Sequence, residues 1–143
     1  MANIFDLAKS FLFIEPMSNK KLQKLCYYAK AWHLALYDEN IIDESFEAWV
    51  HGPVNRALYD KYKDYDWDII TENINENDIS VDILSFAKQV YNSYGHMDTD
   101  ELEIVSHSET PWIEARGNKK PWESCDTIIS EDTMKNFYRQ KVS

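Results

Sequence analysis

Residues 22–36 place Leu22, Leu25, Cys26, Ala29, Trp32, His33 and Leu36 at steps of three and four. On a helix of about 3.6 residues per turn these positions form one broad apolar stripe, which is stable in water only when other elements cover it. Ser18 stands where its side-chain oxygen can cap the first turn, and Lys20, Gln23 and Lys24 fall on the face expected to meet water. A chain carrying such a stripe is committed to packing helix on helix.

The same period recurs on both sides. Ile4, Leu7, Ala8, Phe11 and Leu12 mark an earlier helix that must stop before Glu15-Pro16, because a residue preceding proline is pushed out of helical geometry. The stretch FEAWV (residues 46–50) lacks the period and reads as a short extended piece. Gly52-Pro53 then reads as a helix start, with Val54, Ala57, Leu58, Tyr62 and Tyr65 inward. Residues 66–77 are polar and form the main loop. A helix from Ser80 carries Ile83, Leu84, Ala87, Val90, Tyr91 and Tyr94 inward and stops at Gly95. Asp98 with Glu101 forms a capping box for a short helix through Ile104. Thr110 caps another with Pro111 first. Residues 126–130 read as a second extended piece, and Ser130 caps a last helix whose early acids and late bases suit the helix dipole. The expected fold is mainly α: one compact multi-helix domain over residues 1–143 with at most one or two short extended segments.

Charge narrows the function. With 15 lysines and arginines against 25 acids the formal net charge is -10, which repels phosphate backbones and disfavours nucleic-acid binding. Residues 60–103 alone hold 12 acids and three lysines. No apolar run approaches the roughly 18 residues of a membrane span, and no basic segment followed by an apolar one marks an export signal. Two widely separated cysteines, Cys26 and Cys125, suit a reducing compartment, so a cytoplasmic protein is expected.

The chemistry-bearing residues do not assemble into a catalytic or metal pattern. His33, His51, His96 and His107 form no i, i+4 pair, and no cysteine lies at ligand spacing, so neither a metal nor a cofactor is expected. Cys26 lies on the apolar stripe without a glycine-rich turn, which favours burial over nucleophilic use. The aromatic content is the remaining signal: five Trp, nine Tyr and six Phe. Most of these rings belong in the core, but Trp67 and Trp122 fall in polar loops, and exposed Trp and Arg are residue types that anchor protein interfaces. The class expected is a binding protein without catalysis.

Three motifs in order, KLQKLCYYAKAWHLALY (residues 21–37), FEAWVHGPVNRALYDKY (46–62) and SHSETPWIEARG (106–117), resemble the Panacea domain, also described as SocA-like and found in phage-associated GepA proteins. The resemblance implies a mostly helical antitoxin, often carried by prophages, that silences a cognate toxin by direct contact. It also implies an alternative, a proteolytic adaptor that hands a toxin to a AAA+ protease; a small Cys/His hydrolase is a further alternative left by the residues themselves. Cys26 stands where Leu is usual in the family, and Asn55-Arg56 follow Gly-Pro-Val where a Val-Pro pair is frequent.

Within these motifs Trp32, Trp49, Gly52, Pro53, Thr110, Pro111, Trp112 and Arg116 are read as structural, Arg116 pairing an internal carboxylate. Arg56 lies about 160° around the helix from Leu58 and should point outward, pairing with Asp60 or with a partner. His51, Arg56, Trp67 and Trp122 are therefore the expected partner-binding residues. If Cys26 is structural, Cys26→Ser leaves antitoxin function in place with only a modest stability loss from a hydroxyl on a buried stripe. A variant with an unchanged melting temperature that no longer protects cells would restore the nucleophile reading.

Overall fold

The computed structural model describes residues 2–142. Its elements are α1 (Ile4–Ile14), α2 (Asn19–Tyr37), β1 (Glu47–Trp49), β2 (Gly52–Val54), α3 (Arg56–Tyr62), α4 (Val81–Tyr94), α5 (Thr99–His107), α6 (Thr110–Arg116) and α7 (Glu131–Arg139). The mainly α expectation holds. Asn3 and Asp6 close a capping box at the start of α1, and Glu15, extended before Pro16, ends it. Ser18, Asp98 and Ser130 cap α2, α5 and α7 through side-chain oxygens that accept from backbone N–H groups three residues on.

Helix α2 is the axis of the fold. Every residue from Leu22 to Ala31 is buried, because α1, α4, α5, α7 and the β1–β2 hairpin all pack around it. This overturns the expected wet face: Gln23 and Lys24 are each only 1% exposed. Gln23 accepts from the Asn55 backbone N–H (2.9 Å) and donates to the Asn55 carbonyl (3.3 Å). Toward its end α2 emerges; Trp32 and His33 are half-buried, and Leu36, expected inward, is exposed. Trp32 still donates its indole N–H to the Tyr94 hydroxyl at 2.8 Å.

At the core α2 meets α7 and the base of α6 through tyrosines. Tyr28 and Tyr138 both donate to one oxygen of the buried Glu109, at 2.7 and 2.8 Å, and the hydroxyls of Tyr27 and Tyr138 lie 3.2 Å apart. Buried phenols need such acceptors. Burial pushes the Glu109 carboxyl above the usual carboxylate range even though the two tyrosine hydrogen bonds oppose that rise. Its engagement there also explains a correction. Glu109, not Thr110, is the N-cap residue of α6, and it makes no capping bond because its carboxylate is turned into the core.

Two further corrections concern residues 52–57. Gly52-Pro53 does not open a helix; it forms β2, antiparallel to β1, with Trp49 opposite Gly52 and Glu47 opposite Val54. The helix starts at Arg56, where Asn55 caps by accepting from the Leu58 N–H at 2.9 Å. Leu58 and Tyr62 are buried, Tyr65 is half-buried and Ala57 is exposed. The second extended piece is added to the hairpin's far edge, with Ala48 N–H bonded to the Thr127 carbonyl and Ile129 N–H to the Phe46 carbonyl.

Lys30 shows how tightly α2 is tied. Its side chain is fully buried, donates to the carbonyls of Asp43 (3.3 Å) and Glu44 (2.5 Å), and pairs with Glu131 of α7 at 2.8 Å. Lys30→Ala leaves one Glu131 oxygen and two carbonyls without the Lys30 cation, although Asn40 still donates to the other Glu131 oxygen, and should lower stability by about 3 kcal/mol, read as a fall of roughly 6–12 °C in the thermal melt. A loss under about 1 kcal/mol would show that α2 and α7 dock without this pair.

Candidate functional site

The hairpin β1–β2 turns through Val50 and His51, and the turn depends on Gly52. That residue adopts φ 123°, and a Cβ there would lie 3.0 Å from Lys24 Cε and 3.2 Å from Ser106 Oγ. Glycine alone fits both the dihedral and the space. The hairpin is thereby pressed onto α2 and α5, and Trp49 and His51 are carried to the surface.

From the other side α6 holds the hairpin by hydrogen bonds to its backbone. Trp112 donates its indole N–H to the Trp49 carbonyl at 2.8 Å. The buried Arg116 donates to the carbonyls of Ala48 (3.0 Å), Lys120 (2.8 Å) and Glu123 (2.6 Å), with its guanidinium 5.0 Å from the Trp112 ring centre. Its partners are three carbonyls rather than the carboxylate expected. Arg116 thus joins the hairpin to the loop that carries Ser124, Cys125 and Asp126.

Between the hairpin, the start of α2, α3 and that loop lies a cleft of about 700 Å³. Trp49, Tyr59 and Trp67 supply aromatic walls, and His51, Arg56 and Asp126 stand around them. Three of the four residues expected to bind a partner, His51, Arg56 and Trp67, line this cleft. Trp122 does not, although it is exposed on the adjoining loop with Lys120 Nζ 5.5 Å from its ring. Trp49, expected to pack inward, is half-buried and forms a wall, its indole N–H bonded to Glu47 at 2.8 Å. Arg56 points outward as expected, but it pairs with Glu47 at 3.1 Å and lies over Trp49 at 5.0 Å, not with Asp60. Trp49 and Tyr59 become cleft walls because residues 52–54 form a strand and not the helix start that Gly52-Pro53 suggests in the sequence.

Beside the cleft a polar cluster sits under the hairpin. Glu103 of α5 meets Lys20 at 2.5 Å and His51 Nδ1 at 3.1 Å. Partial burial works against its ionisation, but Lys20, His51 and His107 outweigh it and hold the carboxyl below its ordinary range. His107 stacks on Trp112 with centroids 4.0 Å apart; burial, reinforced by Lys24, His51 and Arg116 and opposed by Glu103, lowers its pKa. Cys26 is fully buried, its thiol pushed up by burial, and it lines neither of the two depressions described. A nucleophile without an opening has no substrate to reach. Among the described residues no three His, Cys, Asp or Glu side chains gather as metal ligands, and no helix is long and apolar enough to cross a membrane.

Comparisons with known proteins agree with the sequence resemblance. The profile of the family described as "Antitoxin SocA-like, Panacea domain" matches residues 22–113, a span that runs from Leu22 of α2 through the hairpin, α3, α4 and α5 to the start of α6. Antitoxin SocA of Caulobacter vibrioides (strain NA1000 / CB15N) is 30% identical over 146 aligned positions, covering 90% of this chain and 76% of that protein. No solved structure matches.

Lys24 gives a pH test of the packing under the hairpin. Burial, followed by the charge of Lys20, pushes its pKa down to about 7, against the pull of Glu103 and Asp100. A base whose folded pKa is lowered holds its proton less tightly folded than unfolded. Its cost to stability is therefore fully present below about 7 and disappears as pH rises through the ordinary lysine value of about 10.4. Lys24→Met should stabilise by roughly 1–4 kcal/mol at pH 6, with the gain shrinking steadily toward pH 10. Denaturant melts at several pH values measure this, and a gain independent of pH would refute it.

Proposed function

We propose that this chain, which belongs to the SocA-like Panacea antitoxin family, neutralises a cognate protein toxin by direct contact, using the cleft beside the hairpin. The observation that carries this reading is the cleft itself: about 700 Å³ walled by Trp49, Tyr59 and Trp67, with Arg56 on its rim. Trp, Tyr and Arg are the side chains that most often anchor protein interfaces; Trp and Tyr bring large contact area at small entropic cost, and Arg brings a planar fork of hydrogen-bond donors. Trp67 is 78% exposed, so its ring is open to a partner that enters the cleft.

In this reading the scaffold and the grip are separate. Arg116, Trp112, Gly52 and Lys24 set the hairpin, and His51, Arg56 and Trp67 meet the partner; Trp122, outside the cleft, extends the contact. The chain works without a cofactor or catalysis, by holding its toxin in the cytoplasm. The toxin is the product of a neighbouring reading frame, in a pair associated with a prophage.

The test is to express the adjacent reading frame alone and with this chain. Its product should be toxic alone, harmless together, and recovered as a stoichiometric complex. Arg56→Glu with Trp67→Ala should abolish protection and weaken the complex at least about tenfold by calorimetry, while the circular-dichroism melt stays within a few degrees of the parent. A variant that protects and binds like the parent would move the toxin site away from the cleft. ATP-dependent disappearance of the toxin, in place of a complex, would mark the chain as a proteolytic adaptor.

A further inference from the structure

The charges lining the cleft are not equivalent. Lys20 and Arg56 there are already matched by neighbouring acids, Glu103 at 2.5 Å and Glu47 at 3.1 Å, and the exposed Lys63 lies 4.0 Å from Asp60, a weaker pair. The two carboxylates that line it, Asp66 and Asp126, are both exposed, and neither enters an ion pair among the described residues. The uncompensated charge of the cleft is therefore negative, in a chain whose formal net charge is -10.

Asp66 adopts φ 52°, ψ −116° at the end of the short 3-10 turn Lys63–Tyr65. Outside glycine such a conformation costs about 1–3 kcal/mol and persists only where the surroundings hold it. Here the Asp66 N–H is bonded to the Lys63 carbonyl at 3.0 Å, and Ile70 N–H is tied to the Met17 carbonyl at 2.9 Å. Glycine would remove the strain and the carboxylate together. The chain instead keeps an acid there, directly before the exposed Trp67. By contrast, a face of the Trp49 ring is already covered by Arg56.

An anionic rim beside a bare indole suits one kind of side chain. A guanidinium or ammonium is attracted to the ring face and forms charge-assisted hydrogen bonds with carboxylates, both strengthened as water leaves. An acidic segment would meet two unmatched carboxylates and be repelled. We propose that the cleft takes an arginine or lysine of the toxin, its cation met by Asp66 and Asp126 and its stem lying on Trp67. This rests on the toxin-binding reading above and names the chemistry of the segment that enters.

Two measurements test it on the full chain. In the first, the tryptophan indole resonances are followed by NMR while the blocked tripeptides acetyl-Gly-Arg-Gly-amide, acetyl-Gly-citrulline-Gly-amide and acetyl-Gly-Glu-Gly-amide are added; Trp67→Phe assigns the Trp67 signal. The Trp67 resonance should move with the arginine peptide alone, and Asp66→Asn with Asp126→Asn should abolish that movement. No response to arginine, or an equal response to citrulline or glutamate, overturns the proposal. In the second, the product of the neighbouring reading frame is the probe. The Asp66→Asn, Asp126→Asn double variant should bind it at least about tenfold more weakly, and increasingly so relative to parent at low salt. If that variant binds like the parent while Trp67→Ala fails to bind, the cationic-segment proposal falls and the cleft remains the toxin site. If Trp67→Ala with Arg56→Glu also binds like the parent, both fall.

Discussion

A helix buried on nearly every side cannot carry polar side chains without fixing where their partners stand. Helix α2 carries several. Asn19 donates to the Tyr59 carbonyl, Gln23 joins Asn55, Tyr28 meets Glu109, and Lys30 binds the 43–44 carbonyls and Glu131. Each of these groups would cost about 1–3 kcal/mol or more if left unsatisfied, so each specifies the placement of a different element. Asn19 and Gln23 place α3, Tyr28 places α6 and α7, and Lys30 places the segment leading into the hairpin. Apolar contacts supply the gross stability. The polar contacts select one arrangement among the many that would bury the same stripe.

The site inherits this order. Gly52 passes over Lys24 and Ser106 with no room for a side chain, and Arg116 and Trp112 fasten β1 from the opposite face. The hairpin is two strands of three residues each, too short to be stable alone. It exists because helices grip it from both sides. Its turn is consequently held at the base and exposed at the tip, which in the proposed reading would present a pre-formed surface at little ordering cost.

The helical layout was readable because it depends on local chemistry. Ser18, Asp98 and Ser130 cap where a side-chain oxygen can reach backbone N–H groups three residues on, and Pro16 ends α1 whatever surrounds it. The hairpin was misread for a reason of the same kind. Gly-Pro carries a strong local preference for a helix start, and that preference lost to pairing with β1, which comes from residues only slightly earlier but is decided by α2 and α6 beneath. Thr110 was misread as a cap because the competing residue, Glu109, is held by two tyrosines that are distant in sequence.

The sequence by itself determined that the chain is helical and acidic and that Arg56 and Trp67 stand outside the core, since periodicity, charge and capping act within a few residues; its family was legible in the resemblance of three ordered motifs. Only the tertiary structure decided that Gln23 and Lys24 are buried, that Trp49 is a wall and not a core ring, and that His51, Arg56, Trp67 and Asp126 share one cleft. Those facts depend on which elements lie against which. A helix face expected to meet water is dry once the surrounding helices and the hairpin pack around it, and side chains 75 residues apart come to line one cleft because backbone bonds between β1 and residues 127–129, with those of Arg116, join their segments.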